Sequence, residues 1–356
     1  MTGEDDGRST SLLESGTNIS SSSPSPPQRD HRDQVYTTNK LTHQRDHRDQ
    51  MYTTNKQNGV KGFEEDYDLH ESASDETDVY YVKQRRGYFS IGFSVIQTLV
   101  LGVMMWQCGV APLDVNPMIG PYPDVLNYYG AKNSFLIIDD GEAWRLFTPI
   151  LLHAGIIHLL CNVAVQIETG AFFEREWGSG KWLLIYLSSA VGSSCLSTIF
   201  MPGQISVGSS GSVCGLFGAK LAEVFCRLCE ARRTKQQRIG HEVRIEQCRG
   251  ITCSVVVIAL FSFMPMTAMD WAAHLGGLLA GIVVGLMVFA FSIDNRCWIG
   301  IWFLVGAALS IIFFAVSLNH MYNEVVPPEE MRDVCEYYRS FFPDYECNCQ
   351  INNDNK

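Results

Sequence analysis

Between residues 91 and 318 one long apolar run follows another, and nothing else in the chain limits its fold so strongly. A helix that crosses a bilayer needs about 20 mostly apolar residues. Inside lipid, only helices and closed barrels satisfy their own backbone hydrogen bonds. Seven candidate spans are read at approximately 90–109, 146–167, 181–201, 209–226, 250–266, 271–292 and 298–318. The fourth is the weakest, since it is short and contains Lys220 and Glu223. The expected fold class is therefore an all-α polytopic membrane protein. The average composition hides this, because 46% hydrophobic residues would suit a soluble chain if they were spread evenly.

Charges in the connecting loops orient the spans. Lys83, Arg85 and Arg86 precede the first span, and Arg175 and Lys181 lie between the second and third. Arg232, Arg233, Lys235, Arg238, Arg244 and Arg249 follow the fourth, and Arg296 separates the sixth from the seventh. The 110–143 loop offers only Lys132 against five acids, and 202–208 carries no charge. All the basic loops thus fall on one side, which predicts a cytosolic N-terminus and a lumenal or extracellular C-terminal tail over 319–356. On that topology the second, fourth and sixth spans run parallel, from outside to inside.

Residues 1–88 read as a disordered cytosolic tail, because they are polar and almost without apolar clusters. They contain a near-perfect duplication, QRDHRDQVYTTNK at 28–40 and QRDHRDQMYTTNK at 44–56. Residues 1–30 show no apolar signal-peptide core, and Glu4, Asp5 and Asp6 argue against a mitochondrial transit peptide. The net charge of −11 sits mainly in the tails and gives no reason to expect a nucleic-acid partner. There is no Gly-Lys phosphate loop, paired CxxC metal site or GxGxxG turn, so neither cofactor nor metal is expected. Most of the 12 cysteines lie in apolar runs, Cys161, Cys195, Cys214 and Cys253 among them, as small packing residues. Cys335, Cys347 and Cys349 cluster in the C-terminal tail, where an oxidising space would let them pair, with Cys108 as a possible fourth member.

Polar side chains within a span are costly and normally face a cavity or a partner. Three sets stand out: His153, His158 and Asn162 on the second span, Ser210 on the fourth, and His274 on the sixth. Ser210 and His274 both lie in the first few residues of parallel spans, so their depths match. Gly211, Gly215 and Ala219 form a ridge of small residues on the fourth span, and Gly277, Gly281 and Gly285 form one on the sixth. Such ridges let helix backbones approach closely. The two seams bring a hydroxyl and an imidazole together, which makes Ser210 a candidate nucleophile and His274 its base. His158 and Asn162, one turn apart on one face, suit the stabilisation of an oxyanion. His153 does not share that face and reads as an anchor for the loop leading into the span.

These residues sit in motifs that resemble those of the rhomboid intramembrane serine proteases. VGSSGSVCGLFGA (207–219) is similar to the family's GxSGxxxGLxGA, with Gly208 and Ser210 in register. AHLGGLLAG (273–281) resembles AHxxGxxxG, HAGIIHLLCN (153–162) matches the His and Asn positions, and AWRLFTP (143–149) supplies a typical Trp144–Arg145 pair. The resemblance covers about 90–318 and implies a six-helix bundle plus a C-terminal seventh helix, as in eukaryotic secretory-pathway members. It further implies a Ser–His dyad without an acid, acting through an acyl-enzyme on the transmembrane helices of single-span proteins near their lumenal ends. The expected location is the secretory pathway or plasma membrane, and 263–270 (FMPMTAMD) would cap the site. Three positions depart from the pattern. Cys214 replaces the usual aromatic, Ser209 replaces a small residue and reads as a passive neighbour, and Lys220 reads as a charge snorkelling to the cytosolic side. An alternative from another class is an inactive relative that binds client transmembrane helices without cutting them. A seven-helix transporter or receptor fits less well, because the Ser/His/Asn set clusters at one end of the bundle.

Overall fold

The structure, a computed structural model, describes residues 35–36, 80–81, 86–228, 235–262, 269–293 and 295–347. The chain divides into two compact units. In the N-terminal unit the described residues form one antiparallel pair of two-residue strands, β1 (Val35–Tyr36) and β2 (Tyr80–Tyr81). Val35 and Tyr36 belong to the first copy of the duplication. Residues 1–34, 37–79 and 82–85 of that tail lie outside the described residues.

The second unit is helical. α1 (Tyr88–Cys108) is followed by a long connection holding two short helices, α2 (Pro123–Tyr129) and α3 (Ser134–Ile138), and two 3₁₀ turns at Ala143–Leu146 and Thr148–Leu151. α4 (Ile156–Val165) runs through a π turn into α5 (Ala171–Trp177), so the second span starts ten residues later than 146. The apolar residues 146–152 belong to the preceding connection, where Pro149 prevents a continuous helix. Then come α6 (Ser179–Phe200), α7 (Ser210–Arg227), α8 (Lys235–Ser262), α9 (Trp271–Phe289) and α10 (Arg296–Asn323). The fold is that of an all-α polytopic membrane protein.

Among the described residues six segments are long and apolar enough to cross a membrane, and the helix expected as the fourth of seven spans is not one of them. α7 carries Lys220, Glu223 and Arg227, yet 14 of its 18 residues are buried. Protein rather than lipid surrounds it, so it does not need a uniformly apolar surface. Lys220 does not snorkel outward as expected. Its ammonium is buried between Glu176 and Glu223, and Glu223 also accepts from Trp177 Nε1 at 2.9 Å. A buried cation with two carboxylates in reach has no reason to seek water.

Polar side chains inside the bundle are tied together. Gln166 Nε2 donates to the Ser94 hydroxyl at 2.8 Å and to Gln97 Oε1 at 3.2 Å, while Tyr186 Oη donates to Gln166 Oε1 at 2.7 Å. Glu174 accepts from the backbone N–H of Phe89 and Ser90 and from the hydroxyls of Ser90 and Ser179. One carboxylate thereby satisfies open donors at the start of α1 and holds α5 against it.

Beyond α10 the chain folds back over the α1–α4 connection through a 3₁₀ turn (Glu329–Arg332) and α11 (Val334–Arg339). Asn133 Nδ2 donates to Met331 O at 2.8 Å, and the Tyr345 ring meets Tyr122 edge-on with its hydroxyl on Asp124. Cys335 pairs with Cys347, and Cys108 is also disulfide-bonded, while Cys349 lies outside the described residues.

Candidate active site

α7 and α9 pack along their small-residue ridges in parallel register. A Cβ added to Gly277 would stand 1.9 Å from Gly211 O, one on Gly281 would stand 1.9 Å from Gly215 O, and Gly285 faces Ala219. Only glycine permits backbones this close. At the top of the seam the Ser210 hydroxyl lies 2.8 Å from His274 Nε2. Asp270 fixes the start of α9 by accepting from Ala273 N at 2.8 Å, a cap that leaves the first turn well formed where His274 sits.

The α4 residues approach from the other side. Gly208 combines φ +122° with a contact that admits no side chain: a Cβ there would meet His158 Cε1 at 2.8 Å. The His158 ring therefore covers Gly208 beside Ser210. Ala154 N–H points at His158 Nδ1 across 3.4 Å, which leaves the proton of a neutral ring on Nε2, the nitrogen on the Gly208 side. Asn162 Nδ2 donates to His158 O at 3.0 Å, and its Oδ1 accepts from the Ser209 hydroxyl at 3.2 Å. Ser209 is thus no passive neighbour, since it fixes which way the Asn162 amide points.

His153 is fully buried and packs edge-on to His158, with ring centroids 5.2 Å apart, and neither of its nitrogens has a hydrogen-bond partner among the described residues. It supports the neighbouring ring by packing and does not tether the loop through hydrogen bonds. Arg145 is buried and donates to Asn127 O and Ala131 O, with its guanidinium 4.5 Å from the centre of the half-exposed Trp144 ring. That pair braces the α1–α4 connection and does not touch Ser210. Cys214 is buried with a free thiol. Of the expected cap, 263–268 lie outside the described residues, while Met269 and Asp270 lead into α9.

Two residues that the sequence reading did not single out lie close by. Lys132, counted there as a loop charge, is buried, and its ammonium reaches the carbonyls of Met201 at 2.9 Å and Gln204 at 2.7 Å. Its backbone pairs with Ser206 in both directions. Lys132 therefore pins the connection that delivers Ser210. Ser262, in the last turn of α8, lies 2.7 Å from His274 Nδ1. A serine at the end of an apolar span carries no local signal of such a contact.

A family profile describing the Rhomboid domain matches residues 140–291, which include His153, His158, Asn162, Ser210, Ser262 and His274 but not Lys132. Among known proteins, Rhomboid-like protease 1 of Toxoplasma gondii is 31% identical over 223 residues, covering 60% of this chain and 72% of that protein. The chain belongs to the rhomboid family. RHOMBOID-like protein 6, mitochondrial, of Arabidopsis thaliana is 33% identical over 177 residues, covering 50% of this chain and 54% of that protein. Rhomboid protease GluP of Bacillus subtilis (strain 168) is 35% identical over 158 residues, covering 44% of this chain and 28% of that protein. This rhomboid chain spans about half the length, or less, of its Arabidopsis relatives, at 54%, 42% and 41% of three of them.

Proposed function

We propose that this rhomboid chain is an intramembrane serine endopeptidase that cleaves transmembrane segments of single-span proteins near their lumenal or extracellular ends. The observation that carries the reading is the 2.8 Å contact between Ser210 Oγ and His274 Nε2 at the end of a protein-enclosed helix. The names of the Toxoplasma and Bacillus relatives, both called proteases, support it.

In this reading Ser210 Oγ attacks the scissile carbonyl while its proton passes to His274 Nε2. The oxyanion takes hydrogen bonds from His158 Nε2–H, from the Asn162 Nδ2 proton not used on His158 O, and from the open backbone N–H groups at the start of α7. His274 then gives its proton to the leaving amine. Water, deprotonated by the same nitrogen, releases the acyl group from Ser210. The small-residue seam holds the pair at one depth, and Lys132 fixes the loop behind the nucleophile.

The C-terminal seventh helix and the disulfides of the tail support a secretory-pathway or plasma-membrane location with that tail lumenal. An inactive, client-binding relative would need no Ser–His contact of hydrogen-bond length, and the intact pair favours the protease. Co-expression with a single-span reporter tests the reading. Wild type releases the ectodomain and Ser210→Ala does not, whereas equal release by both refutes it. The one Asn-x-Ser/Thr sequon, at Asn18, stays unglycosylated on this topology, and a glycan there overturns the orientation.

A further inference from the structure

His274 has two ring nitrogens, and a base must present the unprotonated one to Ser210. Something must therefore hold the proton on Nδ1 and keep the ring from turning. The dyad alone leaves that unassigned. On the Nδ1 side stands Ser262 of α8, buried, with its Oγ 2.7 Å away.

A serine hydroxyl has one proton, and this one is already committed. Ser262 Oγ donates to Ile258 O, four residues back in the same helix, at 2.7 Å. With its proton directed there, the oxygen faces His274 as an acceptor. An acceptor at Nδ1 requires Nδ1–H, so Nε2 is the nitrogen that carries a lone pair, and Nε2 is the atom facing Ser210. The chain runs from Ser210 Oγ through the imidazole and Ser262 Oγ to the Ile258 carbonyl. When the ring gains a second proton during attack, the Nδ1–H bond becomes charge-assisted and strengthens.

We propose that Ser262 is a positioning residue that fixes the tautomer and orientation of His274, so that the Ser–His pair works as a serine–histidine–serine relay. This rests on the protease reading. The residue comes from a helix that the bundle holds loosely: 17% of the apolar stretch of α8 is buried, against 56% in α6 and in α9. The orientation of the imidazole is therefore set by the position of α8, and displacing α8 removes the acceptor from Nδ1.

The test uses three variants of the full chain in detergent or liposomes, assayed on a single-span substrate. Thr at 262 keeps a hydroxyl that can bond the i−4 carbonyl, Val has the same shape without it, and Ala removes both. Ser262→Val and Ser262→Ala are expected to lower kcat about tenfold with KM unchanged, the worth of one hydrogen bond. Ser262→Thr is expected to stay within about threefold of wild type on the same basis. A packing role would instead separate Ala from the Thr and Val pair. The inference is overturned if Ser262→Val turns over like wild type, or if Thr and Val are equally slow at equal folded fraction. If Ser210→Ala is also fully active, the protease reading itself falls; if Ser210→Ala is dead and Ser262→Val is normal, only this inference does.

Discussion

Adding one carbon to Gly277 should separate Ser210 from His274 in the candidate active site. A Cβ there would lie 1.9 Å from Gly211 O, and real Cβ contacts essentially never come below 3.0 Å. Both sides of the contact are helix backbone, so no side chain can turn aside, and α7 and α9 must part by about 1.1 Å. Ser210 precedes Gly211 directly, and His274 lies one turn before Gly277, so most of that movement reaches the pair. A contact of 2.8 Å then becomes about 3.9 Å, outside hydrogen-bond range. Misplacement on this scale costs on the order of 100-fold in turnover, and the overpacking costs about 1–3 kcal/mol of stability. Gly285 is the control, because its nearest backbone neighbour, Ala219 Cα, is 2.8 Å away and need yield only about 0.2 Å. The assay is reporter cleavage by purified protein, normalised to the folded fraction from thermal unfolding in detergent. Gly277→Ala is expected to lose about two orders of magnitude and Gly285→Ala about threefold or less. Near-normal turnover by Gly277→Ala, or equal damage by both, would show that the seam does not set the Ser–His distance.

Other expectations concern parts away from Ser210. Lys220→Met removes the buried ammonium shared by Glu176 and Glu223, while Arg227 stays 3.7 Å from Glu223, and should cost about 3–5 kcal/mol in thermal or denaturant unfolding. Turnover per folded molecule should be unchanged, because Lys220 lies about 15 Å along α7 from Ser210. Cys335→Ser opens a loop with a sequence separation of 12 and should cost the tail about 3 kcal/mol, read as faster limited proteolysis of α11. Burial pushes Lys132 down to about 8 from 10.5, so between those values the unfolded chain binds the extra proton. Stability should therefore rise with pH across that window, by up to about 1.4 kcal/mol per unit, and Lys132→Met should flatten the slope in thermal unfolding.

The pairing of Ser210 with His274 was legible in the sequence because both depth and lateral approach follow from local periodicity. The hydroxyl and imidazole sit at matching places in their helices, and ridges four residues apart point them into one seam. What remained hidden depends on pairings across the chain. Lys220 looked like an exposed charge because its partner Glu176 lies 44 residues away on another helix. Lys132 looked like a loop charge because its carbonyl acceptors belong to the end of α6 and the turn after it. The second span was drawn too early because 146–152 are as apolar as a helix and only the Pro149 turn breaks them. Ser262 gave no sign at all, since its role depends on how the end of α8 lies against α9.

The most direct test of the account is where a serine-directed phosphonofluoridate attaches. Such a probe loses fluoride to an activated serine oxygen, and peptide mass mapping then locates the adduct. The wild-type protein should carry a single adduct on the peptide containing Ser210, and both Ser210→Ala and His274→Ala should carry none. An adduct of equal yield in Ser210→Ala, or no adduct on folded wild type, would contradict the claim that His274 activates Ser210.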